Sequence, residues 1–579
     1  MHSLLQYFFP LLVPALTKQP EVNNVFGCNV TYLGKYQAGV EGFLGISYAK
    51  STAGKNRFEA PIPFTPQPHS TIHATDGGKA CPQDYSEGPA ISEDCLKLNI
   101  WRPANTTPDA KLPVLVWIYG GSFVDGWKDD PQTFPGGLIN QSVANGHPVI
   151  HASMNYRLGI FGFAQSGYLK KTQNENNGLR DQRLALEWLE NNIAAFGGDP
   201  EKMAIHGQSS GGLSVGMQTM AYGASRPVPF RAGIAESQAV EPGITGNFTK
   251  VAQKAILADT GCDKYDYDSE AAMECLRKLS MKDLFLSQNR TACDCADQNE
   301  GDQWLPVVDG DFLPEAPSEL IAKGKLAGVD LIVGWTHNDA TQYTAESLDD
   351  NATARSFIEA YLPALNSSNV DLALSLYSQS DFHDSFNPDG SVAIAAEIYR
   401  AAKIWRDVMF TCSAVNLAEG VSRIQKGAPG KRVYLYDVNQ TILTDSFESQ
   451  GEYGYGVVHT SEIPYVFDQL GYYYTNDTDA SPVDITASDR KLADHVAGSW
   501  STFTALGVPS LEGHETLPNW QPAQFQDENL GTYVIGGPTP GFAGSGGDAA
   551  ARKALSSSDK LLLRCRFWNG GNVPSQLQY

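Results

Sequence analysis

Lys202-Met203-Ala204-Ile205-His206-Gly207-Gln208-Ser209-Ser210-Gly211-Gly212 is the stretch around which the other motifs of the chain arrange themselves. The apolar run Met203 to Ile205 predicts a strand, and the small residues from Gly212 to about Ala221 predict a helix after it. Between them lies Gly207-Gln208-Ser209-Ser210-Gly211, a G-x-S-x-G pattern in strand-turn-helix context. That context sets the serine at the apex of a strained turn, where a Cβ at either flank would strike the neighbouring strand or helix. Glycine at both flanks removes the collision. A second match, Gly212-Leu213-Ser214-Val215-Gly216, falls inside the predicted helix with no strand before it. Ser214 therefore reads as a packing residue and Ser209 as the candidate nucleophile. A hydroxyl at its free pKa is a weak nucleophile, so this reading demands a base and anion-stabilising N–H groups elsewhere in the chain.

A chain of 579 residues with 42% hydrophobic content can build one large α/β domain. Its 42 basic and 65 acidic side chains leave a formal charge of −23, which argues against nucleic acid or an anionic membrane surface as the main partner. The apolar run from Leu4 to Leu16 is too short to span a bilayer, and residues 1–18 read as a secretory signal. Acceptors of the form N-x-S/T at Asn29, Asn105, Asn140, Asn247, Asn289, Asn351, Asn366, Asn439 and Asn476 agree with the secretory route. So do nine cysteines, which fit an oxidising compartment. Cys293-Asp294-Cys295 is too tight for a zinc pair, no other metal-site spacing is present, and the odd cysteine count leaves at least one thiol unpaired. No later run could cross a membrane. Without internal repeats or a Pro/Ser linker, residues 19–579 read as one domain.

Several stretches organise the rest. Val30 to Leu33 and Gly42 to Ile46 predict short strands. Leu112-Pro113-Val114-Leu115-Val116-Trp117-Ile118 is apolar throughout, as expected of a strand covered on both faces, and it ends in Tyr119-Gly120-Gly121-Ser122-Phe123. Glycine-rich backbone at that place can present N–H groups to an oxyanion. Further strands are expected at Pro148 to Arg157, Phe230 to Ser237, Val329 to Val333 and Arg432 to Tyr436. Asn177 opens a helix that stops at Phe196-Gly197-Gly198-Asp199-Pro200. Residues 245–325 read as mostly helical, residues 350–430 as peripheral amphipathic helices (Ala393 to Val408 among them), and residues 536–549 as a glycine-rich surface loop.

Ser92-Glu93-Asp94-Cys95-Leu96-Lys97-Leu98-Asn99-Ile100-Trp101 is similar to a signature of the type-B carboxylesterase/lipase family, which includes the cholinesterases. The passage from Asn155 through Gly212 resembles that family nearly position by position, and Cys565-Arg566-Phe567-Trp568-Asn569 resembles its C-terminal motif. The resemblance covers roughly residues 25 to 570, and the chain is identified as a secreted, fungal-type member. It implies an α/β-hydrolase fold: a large, mostly parallel central sheet, helices on both faces, and helical insertions over the active site.

Chain order in that fold is nucleophile, acid, histidine. The resemblance makes Asp339, in Trp335-Thr336-His337-Asn338-Asp339-Ala340, the acid, although most relatives carry Glu followed by Gly there. Asp445 and Glu462 stay open as alternatives. His459, in Val458-His459-Thr460-Ser461-Glu462, is the histidine; His383 and His495 are its competitors among the eleven present. The oxyanion donors map to the N–H groups of Gly121, Ser122 and Ser210, with Ser122 standing where the family usually has a third glycine. Ser237 is either a hydroxyl near the His–acid pair or a satisfied core serine. Disulfides Cys81–Cys95, Cys262–Cys275 and Cys412–Cys565 are implied, leaving Cys28, Cys293 and Cys295 unassigned.

The implied function is a serine carboxylesterase working through an acyl-enzyme on a small-molecule ester, with neither metal nor organic cofactor. The Cys81–Cys95 loop encloses only Pro82 through Asp94, too short for a large lid, which favours a soluble ester over a lipase substrate. Gln208 before the nucleophile, and a loop with Tyr85 but no tryptophan, speak against a choline ester. The alternatives are a lipase acting on acylglycerols and a catalytically inactive relative used for binding or adhesion.

Overall fold

Strands that are apolar at every position, instead of every second one, belong in the middle of a sheet covered by helices on both faces. In the computed structural model, which describes residues 19–84, 90–292, 303–347, 353–426, 432–475 and 483–579, such strands occupy that place. The expected secretory signal, Cys293, Cys295, Tyr85, Asn351 and Asn476 lie outside the described residues. The strands in chain order are β1 Glu21–Val25, β2 Val30–Leu33, β3 Lys35–Gln37, β4 Val40–Ser47, β5 Thr71–His73, β6 Lys97–Pro103 and β7 Leu112–Ile118. They continue as β8 Ile150–Met154, β9 Gly198–Gln208, β10 Ala232–Glu236, β11 Asp330–Thr336, β12 Val433–Val438, β13 Thr532–Ile535 and β14 Gly541–Phe542. Among the described residues, eleven of them form one sheet in the order β14-β13-β12-β11-β10-β9-β7-β8-β6-β4-β3, and β1, β2 and β5 form a small second sheet. From β8 through β13 every neighbour runs parallel, and antiparallel pairing is confined to the two ends. Strands β8, β10, β11 and β12 are buried at every position.

Period-two alternation assigns the faces. On β10, Gly233 and Glu236 point opposite ways. A Cβ at Gly233 would lie 3.0 Å from Val215 of the helix Ser210–Met220, whereas Glu236 accepts a hydrogen bond from Trp500 of the helix Ala487–Leu506. In chain order, the helices that matter below are α1 Asn177–Asn192, α2 Ser210–Met220, α3 Ala396–Arg406, α4 Cys412–Ile424, α5 Ala487–Leu506 and α6 Leu561–Trp568. Thr486 starts α5 through a capping box with Asp489, and Gly507, at φ 75°, ends it in the left-handed conformation. The buried pair Arg157–Asp181 (2.7 Å) ties the end of β8 to α1, so this passage is scaffold.

Several sequence expectations needed adjustment. The strand read at Met203 to Ile205 extends over Gly198–Gln208, and the helix after the elbow begins at Ser210 instead of Gly212. The helix read at Ala393 to Val408 begins at Ala396 and passes through a π-helical turn, Asp407–Thr411, into α4. Hydrophobic periodicity carries no signal for that extra residue per turn. The stretch 536–549 is no simple surface loop: it contains β14, and Phe542 is 4% exposed. Its glycines mask a strand because glycine is depleted in strands generally, yet here they permit tight turns on either side. Disulfides join Cys81 to Cys95, Cys262 to Cys275 and Cys412 to Cys565, and Cys28 is a free thiol.

Candidate active site

The carboxyl ends of β9, β11 and β12 bring the three candidate residues into one neighbourhood. Ser209 follows β9 directly, with φ 60° and ψ −127°, a conformation that side chains rarely adopt. Its neighbours explain how the chain tolerates this. A Cβ at Gly211 would sit 2.1 Å from the carbonyl oxygen of Ile118, and one at Gly120 would sit 2.8 Å from the Cβ of Ser209 itself. The turn is held from outside as well: the Ser209 N–H donates to the Glu236 carbonyl (2.9 Å), and the Leu213 N–H closes back onto the Ser209 carbonyl (2.9 Å). Ser209 remains half-buried, whereas Ser214 is fully enclosed, donating to the Ser210 carbonyl (2.9 Å) and accepting from Gln182 (3.0 Å). Ser214 is a packing residue.

The loop after β7 lies against this turn. Gly121, Ser122 and Phe123 have φ of 100°, 50° and 57°, and the Phe123 N–H donates to Ser210 Oγ (3.3 Å). Two tyrosines clamp the base of the loop: the rings of Tyr119 and Tyr156 stack at 4.4 Å, and each hydroxyl donates to the other's carbonyl. Among the described residues no acceptor takes the N–H of Gly121 or Ser122. Ser210 opens α2, so its N–H has no acceptor within the helix and stands at the positive end of the helix dipole.

Asp339 and His459 meet across 120 positions of sequence: Asp339 Oδ1 is 2.5 Å from His459 Nδ1. The other carboxylate oxygen accepts the Thr336 N–H (2.9 Å), so the acid is pinned at both oxygens. Asn338 stitches the two loops together. Its N–H donates to the Val457 carbonyl (3.0 Å), and its side-chain oxygen accepts the Val457 N–H (3.1 Å). The imidazole lies between aromatic rings, Phe410 at 4.9 Å and Tyr343 at 5.6 Å. On its Nε2 side it meets Gln208 Nε2 at 3.1 Å, the residue directly before Ser209. The same amide nitrogen is 3.5 Å from Nδ1, so Gln208 packs against the ring while Asp339 bonds Nδ1, and among the described residues no hydrogen bond joins Ser209 Oγ to the imidazole.

The competitors are placed elsewhere. Asp445 is exposed and caps the Asp484 N–H (3.1 Å). His495 pairs with Glu515 (2.8 Å), and His383 is an exposed loop residue. Glu462 is fully buried nearby, accepting from Ser237 Oγ at 3.4 Å. Burial, then repulsion from Asp339 and Glu236, pushes its carboxyl up to about 8, which leaves it a neutral acid at pH 7. Of the sequons among the described residues, Asn29, Asn105, Asn140, Asn247 and Asn366 are exposed, and Asn289 and Asn439 are partly covered.

Beneath the elbow lies a polar cluster that no sequence motif announced. His206 on β9 faces Glu236 on β10 (Nδ1 to Oε1, 3.2 Å) and His151 on β8 (Nε2 to Nε2, 3.1 Å), and Trp500 Nε1 donates to Glu236 Oε1 (2.7 Å). Burial pushes the Glu236 carboxyl up to about 8 and the His206 imidazole down to about 3, so the pair is a neutral acid facing a neutral ring, not an ion pair. The sign for stability follows. As pH rises from about 4.5 to about 8, the unfolded chain has released the Glu236 proton and the folded one keeps it, so the contribution of Glu236 to stability falls through that window. The loss is roughly 3–6 kcal/mol in total. Glu236→Gln keeps an acceptor for Trp500 and has no proton to lose. Its melting temperature relative to the parent should climb steadily from pH 5 to pH 8; a constant difference across that range would contradict the assignment.

A family model described as the carboxylesterase family matches residues 21–539. A secreted lipase of Arthroderma benhamiae is 41% identical over 557 residues, covering 96% of this chain and 95% of the relative. A protein of Byssochlamys spectabilis named as an inactive carboxylesterase-like protein is 35% identical, over 93% of this chain and 92% of its own. Among solved structures, Aspergillus niger EstA superposes with a TM-score of 0.72 over 97% of this chain and 100% of that one at 23% identity, a likeness of fold.

Proposed function

The chain belongs to the carboxylesterase family and is a serine hydrolase of carboxylic esters with the α/β-hydrolase fold, and from that premise we propose that Ser209, His459 and Asp339 are its catalytic relay. The observation that carries this reading is the imidazole of His459, bonded through Nδ1 to Asp339 at 2.5 Å and packed against Gln208, the residue next to Ser209, at 3.1 Å. Asp339 accepts the Nδ1 proton and so fixes the tautomer with an unprotonated Nε2, whose lone pair the Gln208 amide meets at 3.1 Å and yields to the Ser209 proton during attack. Ser209 Oγ attacks the ester carbonyl as its proton passes to Nε2. The tetrahedral oxyanion is received by the N–H groups of Gly121, Ser122 and Ser210, each lowering the barrier by about 3 kcal/mol. Collapse expels the alcohol, which takes the proton from Nε2. Water, activated by the same imidazole, then attacks the acyl-serine, and the acid leaves with Ser209 restored.

No step calls for a metal or an organic cofactor. The substrate is a small-molecule ester, and among the described residues no helix is long and apolar enough to cross a membrane. Secretion belongs to the same reading: three disulfides cross-link the chain, and the Arthroderma benhamiae relative is named as secreted. That relative is also named as a lipase, which favours acylglycerols as a second reading against the short Cys81–Cys95 loop. Initial rates on p-nitrophenyl butyrate and tributyrin, followed through each substrate's solubility limit, separate the two. The soluble-ester reading expects saturation below the limit and no step at it. A jump in rate at the limit would assign the lipase, and no turnover of either ester would remove the hydrolytic reading.

A further inference from the structure

The loop that carries Asp339 is gripped from behind by a buried guanidinium. Arg406, the last residue of α3, has a side chain only 1% exposed. Its Nη1 donates to the carbonyl oxygen of His337 (3.1 Å) and to Asp559 Oδ2 (3.1 Å). Its Nε and Nη2 both donate to Asp407 Oδ1, at 3.0 and 2.7 Å. The peptide held in this way lies two residues before Asp339. Asp407, for its part, opens the π-helical turn Asp407–Thr411, and that turn carries Phe410 onto the imidazole of His459. A single side chain is thereby bonded both to the loop of the acid and to the turn that packs on the histidine.

The charges around Arg406 keep it in place. Asp559 also accepts from Lys403 Nζ (2.5 Å). Burial alone would raise the Asp559 carboxyl, but Arg406 and then Lys403 overcome it and hold the group well below the usual carboxylate range. Asp407 is fixed from its far side by the Tyr377 hydroxyl (2.7 Å). The guanidinium's planar fork sends Nε and Nη2 to one oxygen of Asp407 while Nη1, on the other side of the plane's carbon, reaches the carbonyl and Asp559; an ammonium supplies three donors from a single nitrogen and cannot span these positions. π turns are rare and recur at functional sites, and without the guanidinium this one would keep only the Tyr377 side of its anchor.

We infer that Arg406 is a positioning residue for the Asp339–His459 pair, with Asp559, just before α6, as its anchor. It touches no reacting atom. It sets where the acid's carboxylate stands by holding the His337 carbonyl, and where the imidazole stands by holding the turn of Phe410. The inference rests on the relay proposed above, so its test has to fail separately from that one.

Arg406→Gln, Arg406→Lys and Asp559→Asn are read by steady-state kinetics and by the low-field proton resonance of His459 Nδ1–H. The expected fall in kcat is about 10²-fold for Arg406→Gln and about 10-fold for the other two, with KM little changed, because an acid displaced by about 1 Å weakens only the transition state. The resonance should broaden or move upfield in parallel with kcat, and Arg406→Lys should rescue part of both. A folded variant with normal kcat overturns the inference. So does one that loses kcat while the resonance stays unmoved, or failure of all three to fold, which would make the cluster a folding element only. Normal turnover in Asp339→Asn would instead overturn the relay itself; loss there with no loss in the Arg406 and Asp559 variants overturns this inference alone.

Discussion

Ser209→Ala is expected to lower kcat on p-nitrophenyl butyrate on the order of 10⁶-fold, the size of effect seen when a hydrolase loses its nucleophile. The substitution removes one oxygen and leaves the Cβ, so the elbow at φ 60° is no more strained than before, and the bond from its N–H to the Glu236 carbonyl (2.9 Å) is made by backbone. The protein should fold and melt as the parent does. What survives is the catalysis that oriented N–H groups and binding supply without a covalent step, a residual 10³–10⁴-fold over water. A rate equal to the parent's would mean that the serine at the apex is a structural turn and that the hydrolysis is performed elsewhere.

Asp339→Asn should cost kcat roughly 10³–10⁴-fold. The amide is nearly isosteric, and its oxygen can still accept the Thr336 N–H, now at 2.9 Å from the carboxylate. Its nitrogen, set against Nδ1 where the carboxylate oxygen stands at 2.5 Å, can only donate. The imidazole is then driven into the tautomer whose Nε2 carries the proton, and that nitrogen can no longer take one from Ser209. The imidazolium formed during attack also loses its counter-charge. Comparison of kcat with the parent, at matched folded fraction, checks this. A near-normal rate would pass the acid's role to Glu462, the other buried carboxyl near His459, which at pH 7 is neutral and poorly suited to it.

How far this was legible in the sequence varied with the kind of contact involved. The turn at Ser209 could be read because its requirements are local: two glycines flank it, and the atoms their Cβ positions would strike belong to backbone of the adjoining strand, loop and helix. The central strands could be read because burial on both faces makes their apolar runs nearly continuous, as in Leu331, Ile332 and Val333. His459 needed the resemblance and its chain order, since the chain has eleven histidines and His383 and His495 compete. Gln208 showed in the sequence only as the residue before the nucleophile; its approach to His459 joins positions 251 apart. The cluster of His151, His206 and Glu236 sat unremarked in three apolar strands, because a polar residue in such a run looks like an interruption until its partner on the next strand is known. The helix over residues 396–406 was expected, but its π turn and the Phe410 placement were not, since both depend on how α3 and α4 pack.

The order of the chain by itself determined the sheet's central strands and the strained serine turn, because these follow from side-chain sterics and hydrophobic period over a few residues; the acid and histidine came from the resemblance to the family. Only the tertiary structure decided which carboxylate faces the imidazole, that Gln208 packs against it, and that Arg406 ties the acid's loop to Asp559 across 153 positions. Such contacts join segments that no local pattern relates. Their geometry is set by the packing of whole helices and strands, and a hydrogen bond to one carboxylate in place of another is settled only when those elements meet.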